Sequence, residues 1–456
     1  MKRAYGWTLI GIALAAVVGA SAIVAYFAGQ RGGDWTTRSR AAREELEKGI
    51  DATQRGYQKA AVEHLERAIE LDPRFVAPRL YLARHYRYQR DEREEIVAEL
   101  READVENLNS RERSLVRYDL AEAEGDEDEA EAALDALLDE HPDDFLGKEI
   151  RCERAWRAED WDEAETCYQE LVGLHTNFVE AYNRLGHIDM AQGHFEEAEV
   201  HFRTHLFIAP DQALPRTSLA ELLILLGRYE EAGQLLDAAL SMDPEFCWAH
   251  VQLVRTFDFS GRFAEARKAI DRLETIEECS GFGEQGYFCF ARGVVDFIAG
   301  DFASSWARFD EECLERRGGF DLIGHHAAIA SGHPQAAEEM RARLGRLLAE
   351  AEGENSPWDL EWFRSLDAHF KGVERLAATD YEAASRYLRE ADERLKYWTR
   401  ERAGFKLLNR TYLARSLELE GRDDEARDIL AKVEAVNPRF ARHLPPIPFL
   451  EARPRR

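Results

Sequence analysis

The sequence has no excess of positive charge. It contains 60 lysines and arginines against 88 aspartates and glutamates, so its formal net charge is -28 at pH 7. Proteins that hold nucleic acids or anionic lipid head groups do so mainly with clustered lysines and arginines. The charge balance therefore argues against both kinds of partner, and a basic ligand is the more natural expectation.

The sequence also lacks the short motifs that carry common catalytic chemistry. It contains no glycine-rich phosphate loop, no H-E-x-x-H, no C-x-x-C and no G-x-S-x-G. The nearest approach to a metal cluster is His325, His326 and His333. Adjacent histidines on a helix point about 100° apart, so surface or packing histidines are the better interpretation. We therefore predict that the protein is not an enzyme and holds no metal or cofactor.

Residues Trp7 to Ala28 form a run without any charged residue. A helix needs about 20 apolar residues to cross a bilayer, so this run is long enough to span one. The alternative is a cleaved signal peptide, since residues 20–22 have the sequence Ala-Ser-Ala, but the run stays apolar beyond that point. The prediction is a transmembrane anchor over residues 7–28, preceded by a short segment (1–6) and followed by a polar tether (29–41).

Two successive segments, starting at Val179 and Ala213, repeat the same residue types with a period of 34 residues. Apolar residues recur at three- and four-residue spacing, which gives each half of a segment one apolar helix face. The matching positions are Leu185-Gly186 and Leu219-Ala220, Gly193 and Gly227, Ala198 and Ala232, Phe202 and Leu236, and Pro210 and Pro244. A single helix pair cannot bury its apolar face, so neighbouring pairs must stack.

This pattern resembles the tetratricopeptide repeat, a helix-turn-helix unit. The resemblance implies an all-α protein built as a right-handed α-solenoid, with about eleven helix pairs along this sequence. Together with the anchor predicted from the uncharged run, the expected fold is this solenoid preceded by one transmembrane helix. The regular array is predicted over residues 42–278, degenerate units over 279–406, a final unit over 407–438 and a proline-rich tail over 439–456. Residues 280–285 are predicted to form a loop, and residues 353–357 an interruption between units.

The family resemblance also implies a binding groove, lined by the first helix of each pair. Its predicted wall is acidic and turns apolar toward the carboxyl end, which suits a protein segment with basic residues and an apolar anchor. The alternative is a solvated acidic face with some self-packing. Charge reversal at two groove positions, 149 and 153, is expected to weaken partner capture without lowering the melting temperature. The predicted groove residues are Glu149, Glu153, Trp156, Glu180, Asn183, His187, Thr217, Glu221, Trp248 and Arg255.

The six cysteines occupy facing positions of the repeat. Residues that face each other in an antiparallel helix pair have repeat positions with a nearly constant sum, and the cysteines satisfy this as Cys152 with Cys167, Cys247 with Cys279, and Cys289 with Cys313. Such pairs could form disulfides. The alternative is that each cysteine is simply a small buried apolar residue. Disulfides would place the repeats in an oxidising compartment.

The predicted function is a membrane-anchored scaffold that binds partner proteins through its groove. The positive charges on the two sides of residues 7–28 have nearly equal and opposite effects on orientation, so they do not decide which side the repeats face. The cysteine positions favour repeats on the extracytoplasmic, periplasmic side of a bacterial inner membrane. One alternative is a cytoplasm-facing regulator that resembles the membrane-bound repeat proteins of lipopolysaccharide assembly, whose paired C-x-x-C module is absent here. The other is an enzyme with an unrecognised site.

Overall fold

The computed structural model describes residues 35–440, apart from 88, 310, 318, 320, 355–356 and 398–403. The predicted anchor, the start of the tether and the tail beyond residue 440 lie outside this part of the chain. The described residues form α-helices and two short 3-10 helices (Val105–Asn107 and Glu277–Cys279) joined by turns, and none of them belongs to a β-strand. No helix in the described part is long and apolar enough to cross a membrane.

The chain divides into two compact units. Unit 1 comprises residues 1–151 and 174–178, and unit 2 comprises residues 152–173 and 179–456. The described part of unit 1 contains α1 (Arg40–Gln54), α2 (Gln58–Leu71), α3 (Ala77–His85), α4 (Arg90–Arg101), α5 (Ser110–Glu124), α6 (Glu127–Glu140) and the first half of α7 (Phe145–Arg157).

Unit 2 begins within α7 and contains nearly all of α8 (Trp161–Leu174). Its regular pairs continue with α9 (Val179–Gln192), α10 (Phe195–Ile208), α11 (Leu214–Leu225), α12 (Tyr229–Met242), α13 (Cys247–Phe259) and α14 (Phe263–Leu273). The remaining helices are α15 (Ser280–Glu284), α16 (Tyr287–Ile298), α17 (Phe302–Arg308), α18 (Glu311–Arg316), α19 (Leu322–Ala330), α20 (Pro334–Glu354), α21 (Pro357–Ala377), α22 (Tyr381–Arg394), α23 (Phe405–Glu420) and α24 (Asp423–Val436).

Small residues let the two helices of a pair approach closely. A methyl group on Gly186 of α9 would lie 2.7 Å from the ring of Phe202 on α10, well inside van der Waals contact. The Phe202 side chain is fully buried as a result. Turns between paired helices use left-handed backbone, which glycine adopts without strain. Glu159 takes this conformation (φ 53°) in the turn between α7 and α8, where the repeat has no glycine.

The array is least regular between residues 280 and 357. The predicted loop at 280–285 is instead largely the short helix α15, and the second helix of the next pair is broken into α17 and α18. The predicted interruption at 353–357 is also shorter than expected. Helix α20 continues to Glu354 and α21 starts at Pro357, because proline is well tolerated in the first turn of a helix.

Candidate protein-binding surface

The predicted groove carboxylates of unit 2 already have cationic partners. Glu153 is only 5% exposed, and its carboxylate lies 3.4 Å from Arg184 and 3.6 Å from Arg157. It also accepts a hydrogen bond from the hydroxyl of Tyr168 at 3.3 Å. Arg184 has further contacts, since its guanidinium lies 4.6 Å from the centre of the Trp156 ring and 2.9 Å from the Glu180 carboxylate.

A second buried carboxylate links the next three repeats. Glu221 on α11 is 2% exposed and lies 3.2 Å from Arg255 on α13 and 3.5 Å from Nε2 of His187 on α9. The other ring nitrogen of His187 is 2.9 Å from the backbone oxygen of Asn183. Thr217 is fully buried, and its hydroxyl donates to the carbonyl of Ala213.

The corresponding carboxylate of unit 1, Glu149, is paired in the same way. It lies 3.0 Å from Arg87, and both side chains are largely buried. Buried ion pairs lose their Coulomb attraction and leave an unsolvated charge when one partner is changed. The structure therefore changes the expectation for Glu149 and Glu153, because reversing these charges should lower stability as well as affect any partner.

Three predicted groove residues of unit 2 keep partial exposure. Glu180 and Arg255 are about one quarter and one fifth accessible at their side chains, and Trp248 is half-buried. Trp248 packs against the cluster of Val251, Leu273, Ile276 and Cys279. The accessible part of the predicted surface is therefore aromatic, with one acidic and one basic group, and is not an open acidic wall.

Residues 437–440, the last that the structure describes, pack against the turns of earlier repeats in unit 2. The Asn437 amide donates to the hydroxyl of Tyr229 at 3.1 Å, and Arg439 forms an ion pair with Glu230 at 2.9 Å. The Phe440 ring stacks on Phe259 with centroids 6.0 Å apart. These contacts join residues about 200 positions apart, and nothing in the repeat pattern indicated them.

A second such contact involves Tyr397. Its backbone amide donates to the carbonyl of Ala191, and its ring meets Phe195 edge-on with centroids 5.1 Å apart. Arg410 donates to the Tyr397 hydroxyl at 2.6 Å. Tyr397, three residues beyond the end of α22, is thereby held against the turn between α9 and α10.

The histidines of the degenerate repeats lie in the core of unit 2. His326 and His369 face each other with their Nε2 atoms 3.1 Å apart, and Nδ1 of His369 lies 2.8 Å from Oδ1 of Asn409. Burial lowers the pKa of His369 to about 3. His325 stacks on Phe370. Within the part of the chain that the structure describes, no three histidine, cysteine or carboxylate side chains converge as metal ligands.

Glu374 lies at the edge of this core. Nε2 of His325 is 3.3 Å from its carboxylate, and Arg341 donates to both of its oxygens at 2.8 and 2.9 Å. Burial alone would raise the pKa of Glu374, but the hydrogen bonds from His325 and Arg341 outweigh it and lower the pKa. His333, the third histidine of the sequence cluster, lies instead beside Trp306.

All six cysteines form disulfides, and all lie in unit 2. The bonds join the pairs that the repeat positions predict, with Cα atoms 5.3 Å apart for Cys152–Cys167, 5.6 Å for Cys247–Cys279 and 6.2 Å for Cys289–Cys313. Each bond closes a loop of 15 to 32 residues within one repeat or its immediate flank. The disulfides therefore stabilise individual helix pairs and do not link distant repeats.

A family model described as a tetratricopeptide repeat matches residues 223–276. A comparison with curated proteins finds no match. Among solved structures, the chain is similar to a tetratricopeptide repeat protein from Parabacteroides merdae, with 16% identity, 66% of this chain and 99% of that chain covered, and a TM-score of 0.39.

Two further solved structures show similarity of the same order. One is the APC/C hetero-tetramer Cut9–Hcn1, with 15% identity, 89% and 76% of the two chains covered and a TM-score of 0.44. The other is the human IFIT1 dimer with PPP-AAAA, with 16% identity, 84% and 94% covered and a TM-score of 0.45. The matched segment 223–276 runs from the end of α11 past the end of α14. Throughout the part of the chain that the structure describes, the regular secondary structure is helical, and residues 223–276 are similar to the tetratricopeptide repeat.

Proposed function

We propose that the protein is a scaffold that binds partner proteins and performs no catalysis itself. The tetratricopeptide repeat in unit 2 carries this proposal, because arrays of such repeats generally bind other proteins. The absence of catalytic motifs from the sequence supports the proposal that the protein performs no catalysis.

The scaffold is further proposed to be tethered to the bacterial inner membrane by residues 7–28, with its repeats on the periplasmic side. The uncharged run in the sequence supports the tether. The three disulfides support the compartment, since disulfides persist in oxidising surroundings and are rare in the cytosol of most organisms.

The partner surface is proposed to include Trp248 with Glu180 and Arg255. Partly exposed aromatic and arginine side chains are typical of the residues that contribute most to binding. Because Glu153 and Glu221 are already neutralised by arginines, the partner is held chiefly by an apolar anchor against Trp248. Basic groups of the partner add contacts to Glu180 at the rim.

Site-specific photocrosslinking tests this proposal. A photoreactive amino acid is placed at Trp248 in the full chain, expressed in its native envelope, and a matched variant carries it at Gln169, which is exposed on α8. A heterologous adduct of defined mass is expected from position 248 and not from position 169. Equal adducts from both positions, or none from position 248, would remove the support for this surface.

A further inference from the structure

The segment that precedes α1 packs against unit 1. Trp35 is only 4% exposed. The guanidinium of Arg111 lies 3.8 Å from the centre of its ring, a cation–π contact, and the Tyr81 ring meets it edge-on with centroids 6.2 Å apart. The described part of the predicted tether is therefore docked on unit 1 through an aromatic side chain.

Two threonines after Trp35 complete the contact. The backbone amide of Thr36 donates to one carboxylate oxygen of Glu112 at 2.9 Å, and the Thr36 hydroxyl donates to the other oxygen. The Thr37 hydroxyl donates to Asp72 at 2.6 Å. Main chain, ring and hydroxyl groups are thus all recognised, as they are when a groove binds an extended peptide. We call the surface formed by Asp72, Tyr81, Asn109, Arg111 and Glu112 the segment site.

The segment site is positioned by the starts of helices. Glu112 is fully buried and takes part in the capping box of α5, in which the Asn109 side chain accepts from the Glu112 amide at 2.9 Å. Arg111 donates to Asp144. Asp144 in turn accepts from the amide of Gly147 at 2.8 Å in the first turn of α7. The groups that hold Trp35 and Thr36 are therefore oriented by the repeats themselves, so the site is preorganised for an occupant.

The fit of Trp35 is incomplete in one respect. Its indole Nε1 is buried and has no hydrogen-bond partner among the described residues. Burying a donor without a partner disfavours binding. A phenyl ring is smaller than an indole and buries less apolar area, but it carries no donor and so avoids this cost. The buried donor therefore weakens the binding of the segment in place, and a competing segment with phenylalanine does not carry this penalty.

We propose that the segment site recognises an extended protein segment in which an aromatic residue precedes two threonine or serine residues, and that Trp35 to Thr37 occupy it until such a segment displaces them. This inference rests on the proposed function for the existence of a partner, and it adds both the chemistry of a partner segment and a form of self-inhibition. A tethered occupant acts at a high effective concentration, so an external segment meets strong competition in the unaltered chain.

A peptide titration on the full chain tests the proposal. The probe is a fluorescently labelled peptide of residues 33–40 that carries Trp35→Phe, and binding is followed by fluorescence anisotropy. The protein variant combines Trp35→Ala with Thr36→Ala to vacate the site. This variant is expected to bind the peptide saturably, and the unaltered chain to bind it at least about tenfold more weakly because its own segment competes.

Two comparisons make the result specific. A peptide with Trp35→Ala should bind the vacated variant at least about tenfold more weakly, since the ring supplies most of the buried apolar area. Adding Glu112→Gln to the vacated variant, which keeps one acceptor oxygen and removes the charge, should weaken binding too. The single variant Thr36→Ala keeps the ring docked and is expected to bind with intermediate affinity, so it serves as the test if the double variant fails to fold.

The proposal is overturned if a folded vacated variant does not bind the peptide, since Trp35 would then only seal the edge of the repeats. It is equally overturned if the unaltered chain binds as tightly as the vacated variant, because the peptide would then use another surface. Neither outcome depends on a cellular partner. Failure of photocrosslinking at Trp248 would therefore not be confused with failure of the segment site.

Discussion

At the scale of single residues, Gly227 meets two requirements at the same time. Its backbone is left-handed, with φ 74°, and a methyl group on it would lie 2.3 Å from Oδ1 of Asn437. Asn437 is the residue through which the end of the array contacts Tyr229. Gly421 has a similar backbone conformation, with φ 84°, but nothing lies within 4 Å of its missing side chain.

This difference predicts unequal effects of the same substitution. Gly421→Ala should destabilise unit 2 by about 1 kcal/mol, the cost of left-handed backbone for a residue with a Cβ atom. Gly227→Ala should cost about 1 kcal/mol more, because the Asn437–Tyr229 hydrogen bond must also break. Urea denaturation of the two variants measures the difference. Equal losses would mean that the Asn437 contact contributes nothing to stability.

Buried ion pairs give a second prediction for single residues. Glu153→Lys places a positive charge beside Arg157 and Arg184 in a buried position and should lower stability by about 3 to 5 kcal/mol. Glu393→Lys, at an exposed position near the end of α22, should change it by no more than about 0.5 kcal/mol. Melting temperatures of the two variants provide the test, and similar values would show that the Glu153 pairs are dispensable.

The disulfides act at the scale of secondary-structure elements. The bond between Cys152 and Cys167 joins α7 to α8 and closes a loop of 15 residues. In the chain-entropy account, a loop of this length contributes about 3 kcal/mol by restricting the unfolded chain. Replacing both cysteines with alanine should therefore increase amide hydrogen exchange in α7 and α8. Exchange in α23 and α24, which contain no cysteine, serves as the internal control and should stay unchanged.

The packing of α19, α21 and α23 around buried histidines predicts a pH dependence. Burial lowers the pKa of His369 to about 3, while an unfolded histidine has a pKa of about 6.5. Between these values only the unfolded chain binds the proton, so stability falls as the pH decreases from about 6.5, by up to about 1.4 kcal/mol per pH unit. Burial also lowers the pKa of His326.

Melting temperatures between pH 7 and pH 5 test this dependence. The unaltered protein should melt at lower temperature as the pH falls, and His369→Gln should show a smaller decrease because one proton no longer binds on unfolding. Groups facing His369 in this core are His325 and His326 on α19, Asn409 and Tyr412 on α23, with Glu374 and Arg341 at the edge. An unchanged decrease in the variant would assign the pH dependence to other groups.

The sequence predicted local features of this architecture better than contacts between distant elements. Turns at Gly193 and Gly227 follow from repeat positions, because a 34-residue pattern states which residues must be small or left-handed. The partner of Glu153 was not predictable in this way, since Arg184 lies outside the slots that the family pattern marks as groove. The contacts of Tyr397 and Asn437 with earlier turns depend on how many repeats intervene and how each one rotates the next. The 34-residue pattern specifies neither the number of intervening repeats nor the rotation between them, so it does not predict these contacts.

At the scale of the whole molecule, the proposed periplasmic location and the formation of the disulfides depend on each other. Six cysteines paired within their own repeats are stable in the periplasm but would be reduced in most cytosols. An amino-terminal segment that inserts into the membrane with its end inside would deliver the repeats to the oxidising side. In the sequence, six residues (29–34) separate the predicted anchor from residues 35–37, which pack against the rest of unit 1.

Membrane anchoring and disulfide formation in the cell can therefore be tested in one experiment. Full-length protein in its native envelope is denatured and treated with a maleimide reagent that adds a resolvable mass to each free thiol, with and without prior reduction. We expect no addition before reduction and six additions after it, and we expect the protein to remain with the membrane after an alkaline wash. A variant that starts at residue 29 lacks the apolar run, so it should stay in the cytoplasm and show six reactive thiols without reduction. If the full-length protein shows six reactive thiols without reduction, the disulfides do not form in the cell and the periplasmic assignment loses its physical basis.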